Sequence, residues 1–109
     1  MTQIKRKMQD RATALIHKKL KAAFPSLSDD PNDVVYRYNP ASIRLRVTDP
    51  SFEGMSFERR EAAIRSILQS LPSRVRTDIT LILLLTPEEC EDPTDLMNLE
   101  FDDPAGSRL

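Results

Sequence analysis

The stretch from Ile43 to Pro87, IRLRVTDPSFEGMSFERREAAIRSILQSLPSRVRTDITLILLLTP, decides the fold. Ile43, Leu45 and Val47 alternate with Arg44 and Arg46, the pattern of a strand with one buried face and one basic face. Ile79 to Leu85 is almost wholly apolar, as expected of a strand covered on both sides or of one half of an oligomer contact. Between them Phe57, Ala63, Ile64, Ile67, Leu68 and Leu71 recur at helical spacing. A strand, helix, strand crossover of this kind places the two strands parallel, with a right-handed connection.

Upstream, Val34 to Tyr38 (VVYRY) has the β-branched and aromatic composition of a strand, and Asn39 to Ser42 supplies the turn of an antiparallel hairpin with Ile43 onward. Val35 and Arg37 share one face and Val34, Tyr36 and Tyr38 the other, so alternation leaves open which is buried. Further back, Ile4, Met8, Ala12, Leu15, Ile16, Leu20 and Phe24 follow steps of three and four, predicting an amphipathic helix that ends before Pro25 with its lysines on the opposite face. Pro25 to Asp33 reads as a loop. Within the loop after Val47, Pro50 ends the strand, Gly54 admits positive φ, and Ser56 is placed to cap the next helix. Arg60 and Glu61 fall near the apolar face of that helix and are expected at its covered edge, and Pro72 stops it.

The expected class is therefore α+β: an α-β-β-α-β two-layer domain with a three-stranded mixed sheet, spanning residues 1–90. Residues 91–109 turn acidic, with Pro93 and Pro104, and are expected to be a disordered tail beyond a short helical turn at Glu88 to Cys90. Leu96, Met97, Leu99 and Phe101 stand out in that context, as residues that either dock on the domain or form a linear motif for a partner.

With 109 residues, 39% hydrophobic and 30% charged, the chain fits one domain that buries roughly 65% of its unfolded surface. No apolar run reaches the roughly 18 residues of a membrane span, and the opening MTQIKRKMQDR is too polar for a secretion signal, so the expected setting is cytoplasmic, with no membrane partner. The single cysteine, Cys90, excludes an internal disulfide framework. A net charge of −1 conceals a gradient along the chain. Lys5, Arg6, Lys7, Arg11, Lys18, Lys19 and Lys21 face only Asp10 in the first segment, whereas Glu88, Glu89, Glu91, Asp92, Asp95, Glu100, Asp102 and Asp103 face only Arg108 in the last. The two ends either attract each other or separate partners, although such blocks more often solvate a surface than recognise a ligand.

The catalytic inventory is thin. One histidine, His17, and one cysteine form no nucleophile-base pair, Gly54 and Gly106 cannot build a phosphate loop, and the acid pairs Glu88-Glu89 and Asp102-Asp103 lie in terminal sequence where pKa values are hard to perturb. We expect no enzyme, no metal and no cofactor. A basic surface is a better candidate: Arg44 and Arg46 from one strand face, Arg37 across the hairpin, and Lys18, Lys19 and Lys21 on the first helix would suit nucleic acid. Against this, the same pattern describes a sheet face that is merely exposed or covered by the first helix. The apolar strand Ile79 to Leu85 also suits an edge that pairs in a weak homodimer, the alternative being a monomer.

At the loop before the second helix the sequence resembles the BolA-like proteins. That family joins a V-x-D strand end, an F-x-G loop, a helix with an R-H-R type motif and a strand ending in T-P-E-x. The matching pieces here are Val47-Thr48-Asp49, Phe52-Glu53-Gly54, Arg60 and Thr86-Pro87-Glu88-Glu89, with Leu20 to Phe24 close to the family's first-helix ending. The resemblance covers most of Leu15 to Cys90. It implies an α-β-β-α-β fold related to type II KH domains and a non-enzymatic role, since BolA-like proteins bind monothiol glutaredoxins, share an iron-sulfur cluster with them and in some cases bind DNA. The implied contact surface includes Phe52, Gly54, Arg59, Arg60 and Glu61. Glu61 stands where the family has its histidine ligand, and Ala62 replaces the basic residue that follows. A carboxylate is a poor substitute for imidazole at cluster iron, so the expected role is protein binding without cluster sharing.

Overall fold

The computed structural model describes residues 7–104. Its first helix, α1 (Arg11–Ala23), begins at a capping box: the Asp10 carboxylate accepts from the Thr13 amide at 2.9 Å, and the Thr13 hydroxyl accepts from the Asp10 amide at 2.9 Å. This start is later than the apolar stripe implies. Met8 instead exchanges backbone hydrogen bonds with Arg37, at 3.0 and 2.8 Å, and so lies against the outer edge of the first strand; Ile4 lies outside the described residues.

Strands β1 (Val35–Asn39) and β2 (Ser42–Thr48) form the antiparallel hairpin, with Val35 opposite Leu45 and Tyr36 opposite Arg44. The chain then crosses through α2 (Phe57–Gln69), capped by Ser56, and a short helix α3 (Ser73–Asp78) to β3 (Ile79–Leu85), which pairs parallel to β2. The sheet order is β1-β2-β3, a three-stranded mixed sheet in a small α+β domain. Ile16 and Leu20 of α1, Val35, Ile43, Leu45, Val47 and Leu84 of the sheet, and Ile64 of α2 form one buried cluster. Each such aliphatic side chain contributes about 1.5–3 kcal/mol by leaving water, so this single face supplies most of the driving force. Phe57 and Ala63, placed on the same stripe by spacing, are exposed.

The opposite sheet face corrects the sequence reading. After α4 (Pro87–Cys90) the chain does not trail away: α5 (Leu96–Asp102), capped by Asp95, lies across β1 and β2. Phe101 is fully buried with its ring 4.8 Å from that of Tyr36, whose hydroxyl donates to the Phe101 carbonyl oxygen at 2.9 Å. The domain therefore runs to at least Pro104 rather than stopping at residue 90, and the acidic segment through that point is packed rather than disordered. Of the four apolar residues in it only Phe101 docks; Leu96, Met97 and Leu99 remain exposed. Among the described residues no helix is long and apolar enough to cross a membrane.

Docking through one buried ring sets a clear expectation. Phe101→Ala should lower unfolding stability by about 3 kcal/mol, as removal of a core phenylalanine does, whereas Leu99→Ala on the outer side of the same helix should change it by less than about 0.5 kcal/mol. Urea unfolding of the two variants measures the difference, and equal, negligible effects would mean that the segment is not part of the fold.

Candidate functional site

The surface named by sequence is the loop between β2 and α2 together with the first turns of α2. Its conformation is set locally. The Asp49 carboxylate accepts from the Ser51 amide at 2.9 Å, from the Ser51 hydroxyl and from the Ser26 hydroxyl at 3.0 Å, which fixes a 3-10 turn over Pro50–Phe52. Partial burial pushes the Asp49 carboxyl up, but the hydroxyl and amide of Ser51 and the hydroxyl of Ser26 outweigh it and hold the group below its ordinary value. Phe52 turns inward, fully buried, with its ring 5.7 Å from that of Phe24. Gly54 then turns the chain at φ +75°, a conformation that a side chain would strain although open space surrounds the position.

Arg60 locks this loop to the rest of the molecule. Its Nε donates to the Met55 carbonyl oxygen at 3.0 Å, and its Nη1 donates to the Leu84 carbonyl oxygen at 2.9 Å and to Glu89 Oε1 at 2.5 Å, while Nη2 reaches Glu89 Oε2 at 3.3 Å. One guanidinium thus joins the loop, α2, the end of β3 and α4, the fixed fork that lysine cannot reproduce. Glu89 is held in turn by a capping box in which it accepts from the Thr86 amide at 2.8 Å. The Arg60 guanidinium, followed by the Thr86 amide, keeps the Glu89 carboxyl below its ordinary 4.5.

Two of the five residues expected at a contact surface, Phe52 and Arg60, are therefore interior supports, and three, Gly54, Arg59 and Glu61, are exposed. Sequence spacing missed the fourth exposed group. Phe57, assigned by periodicity to the core, leaves 58% of its surface in solvent at the start of α2. Glu61 is exposed and lies 3.8 Å from Arg65 one turn on.

The basic set is dispersed and mostly engaged. Arg46 is only 7% exposed: Nη1 donates to Asn98 Oδ1 at 2.7 Å and lies 2.8 Å from Asp102, Nη2 donates to the Asp33 carbonyl oxygen at 3.2 Å, and the guanidinium sits 4.4 Å from the centre of the Phe101 ring. Arg44 pairs with Glu100 at 3.3 Å and stacks 3.8 Å from the Tyr38 ring. Arg37 bridges Asp10 and Asp78 at 2.5 and 3.1 Å. Lys21 closes the end of α1 on the carbonyl oxygens of Pro25 and Leu27 and pairs with Asp29 at 2.9 Å. The strand face expected to be basic and open, or covered by α1, is instead neutralised by α5. Lys18 and Lys19 alone of the six have no ion-pair partner among the described residues. His17 shares a hydrogen bond with the Ser28 carbonyl oxygen at 2.9 Å, which occupies one ring nitrogen.

A cleft of about 420 Å³ opens at the carboxyl ends of β2 and β3, between Ser26, Leu27, Thr48, Pro50, Pro87 and Cys90, with Arg46 in its wall. Asn98 lies against Cys90, donating from Nδ2 to its carbonyl oxygen at 2.7 Å, and Asp102 meets the Arg46 charge; in the cleft wall the Ser28 hydroxyl donates to Asp33 Oδ2 at 2.9 Å, and among the described residues no histidine lines it. Nor does the donor set fit an iron-sulfur cluster. Glu61 offers a solvated carboxylate, and among the described residues no three histidine, cysteine or acidic side chains converge on a metal-sized site. No family model, curated protein or solved structure matches the chain.

The Arg60 junction carries two expected outcomes. Arg60→Ala leaves the Met55 and Leu84 carbonyl oxygens without this donor and should cost about 2–3 kcal/mol by chemical unfolding, with Arg60→Lys recovering only part. Because the native Glu89 carboxyl titrates below 4.5 and the unfolded one near its ordinary value, the unfolded chain binds more protons in that interval. The stabilisation is complete above about pH 5 and is lost as pH falls through the native pKa. Unfolding free energies measured between about pH 3 and 6 should therefore fall less steeply toward acid in Glu89→Gln than in the parent protein.

Proposed function

We propose that this chain is a small non-enzymatic binding module acting through protein contacts, with its contact surface at the loop before α2 and the first turns of that helix. The observation that carries the reading is Phe57, an aromatic ring 58% exposed on a surface whose loop is fixed from beneath by Phe52, Asp49 and Arg60. Large aromatic side chains on rigid supports are the usual anchors of protein interfaces, because their burial gives much area for little lost rotamer freedom. Exposed charges of both signs, Glu58, Arg59 and Glu61, surround the ring and suit a polar rim. The BolA-like sequence resemblance falls on the same loop and helix and makes a monothiol glutaredoxin the partner class to try first. Cluster sharing is no part of the proposal, for want of suitable ligands.

Titrating isotopically labelled protein with a monothiol glutaredoxin and following amide shifts tests this directly. Perturbations should centre on Gly54, Phe57, Arg59 and Glu61, and Phe57→Ala should weaken binding about tenfold or more while leaving the melting temperature nearly unchanged. An unperturbed spectrum at high partner concentration, or shifts centred on Lys18 and Lys19, would count against the assigned surface.

A further inference from the structure

The two outer edges of the sheet are treated differently. On β1 the Met8 bridge occupies both the amide and the carbonyl of Arg37. On β3, Leu85 faces β2, its carbonyl oxygen accepting from the Asp49 amide at 2.9 Å, so Ile82 and Leu84 present their backbone groups to the outside. Arg60 takes the Leu84 carbonyl oxygen, and a register shift between β2 and β3 at Thr80 irregularises the start of the strand. Among the described residues no bond outside the sheet takes the amide and carbonyl of Ile82 or the amide of Leu84, on a strand with no charge, proline or glycine from Ile79 to Leu85. Charged or proline residues are the common means of keeping an edge from pairing, and this one has none.

We propose that this edge pairs antiparallel with the same edge of a second copy of the chain, about a two-fold axis at Ile82, to give a continuous six-stranded sheet. The open groups define the register: the two Ile82 residues exchange both backbone hydrogen bonds. Leu81 and Leu83, half-buried in one copy, then become cross-strand neighbours.

Charge at the strand ends selects a second copy as the occupant. Arg74 and Arg76 precede β3 and Glu88 and Glu91 follow it; all four are exposed, and none has an ion-pair partner among the described residues. Two-fold antiparallel pairing brings the basic start of each strand to the acidic end of the other. Arg76 stands in the last turn of α3, just before β3, and Glu88 in the first turn of α4, just after it, so the pairing required by the backbone carries these opposite charges toward each other. A parallel partner strand would set like charges together. The surface is self-complementary, as a two-fold interface must be.

Sedimentation equilibrium of the full chain over micromolar to millimolar concentration tests the proposal. The expected result is a reversible dimer whose dissociation constant rises about tenfold or more in Arg76→Glu and again in Glu88→Arg, as like charges meet at both ends of the pair. The double variant, which restores opposite charges, should dimerise like the parent. Both positions are exposed, and far-ultraviolet circular dichroism checks that each variant is folded. A monomeric mass at millimolar protein, or a dimer indifferent to either reversal, would overturn the proposal. Loss of dimer in both single variants without recovery in the double would also do so.

Discussion

A guanidinium in the middle of the sheet must have its charge met, and that requirement shapes the second half of this molecule. Arg46 projects from the central strand into the face that α5 covers, beside Arg44, and it is almost wholly covered. Leaving such a charge buried without partners would cost several kcal/mol, more than most single contacts return. The chain meets it with an aromatic ring, an amide, a backbone carbonyl and a carboxylate, three of them from the C-terminal segment. Asn98 bonds on three sides in doing so: its Oδ1 accepts from Arg46, its Nδ2 donates to the Cys90 carbonyl oxygen, and its backbone amide donates to the Asp95 carboxylate that caps the helix. The acidic composition after β3 is thus partly a counter-charge for β2, with Glu100 on Arg44 and Asp102 on Arg46.

A second guanidinium does comparable work on the other side of the sheet. Arg60 is held by two carbonyl oxygens and a carboxylate, and through them the loop after β2 has one conformation relative to α2 and α4. The arginine that carries the family-like motif is therefore a support, and the proposed contact surface consists of what it supports: the Gly54 turn, Phe57 and the charges beside it. The same side chain blocks one carbonyl of the β3 edge, which shortens the open part of that edge to the neighbourhood of Ile82. A single residue links the proposed contact surface and the proposed dimer edge.

How far all this is legible in sequence follows from which physical signal each element leaves. The β2, α2 and β3 unit is plain because its periodicities of two and 3.6 come from one strongly apolar face, and Ser56 and Gly54 stand where a cap and a positive φ are needed. The start of α1 is obscured because Ile4 and Met8 stay in helical phase, although the Asp10 to Thr13 cap was there to be read. Phe57 misleads for the same reason: it keeps the phase of the stripe, yet leaves 58% of its surface in solvent. The docking of α5 leaves almost no local trace. Its composition is that of a solvated tail, three of its apolar residues face outward, and its partners on β1 and β2 are some fifty to sixty-five residues away in the chain. Neither half of the Arg46 cluster declares itself without the other. The charge gradient from basic start to acidic end leaves open whether the ends meet each other, and the acidic end pairs with the strand arginines.

The claim on which the account rests is that residues 95–103 belong to the folded domain and close the arginine face of the sheet. Amide hydrogen exchange reads this residue by residue, through the Leu99 and Asp103 amides that donate within α5 at 3.0 Å each. If the account is right, both exchange through the same opening as the amides of β2, with protection that follows global stability. Exchange of Leu99 and Asp103 at the rate of an unfolded chain, while β2 stays protected, would contradict it and leave Arg44 and Arg46 free on an open basic face.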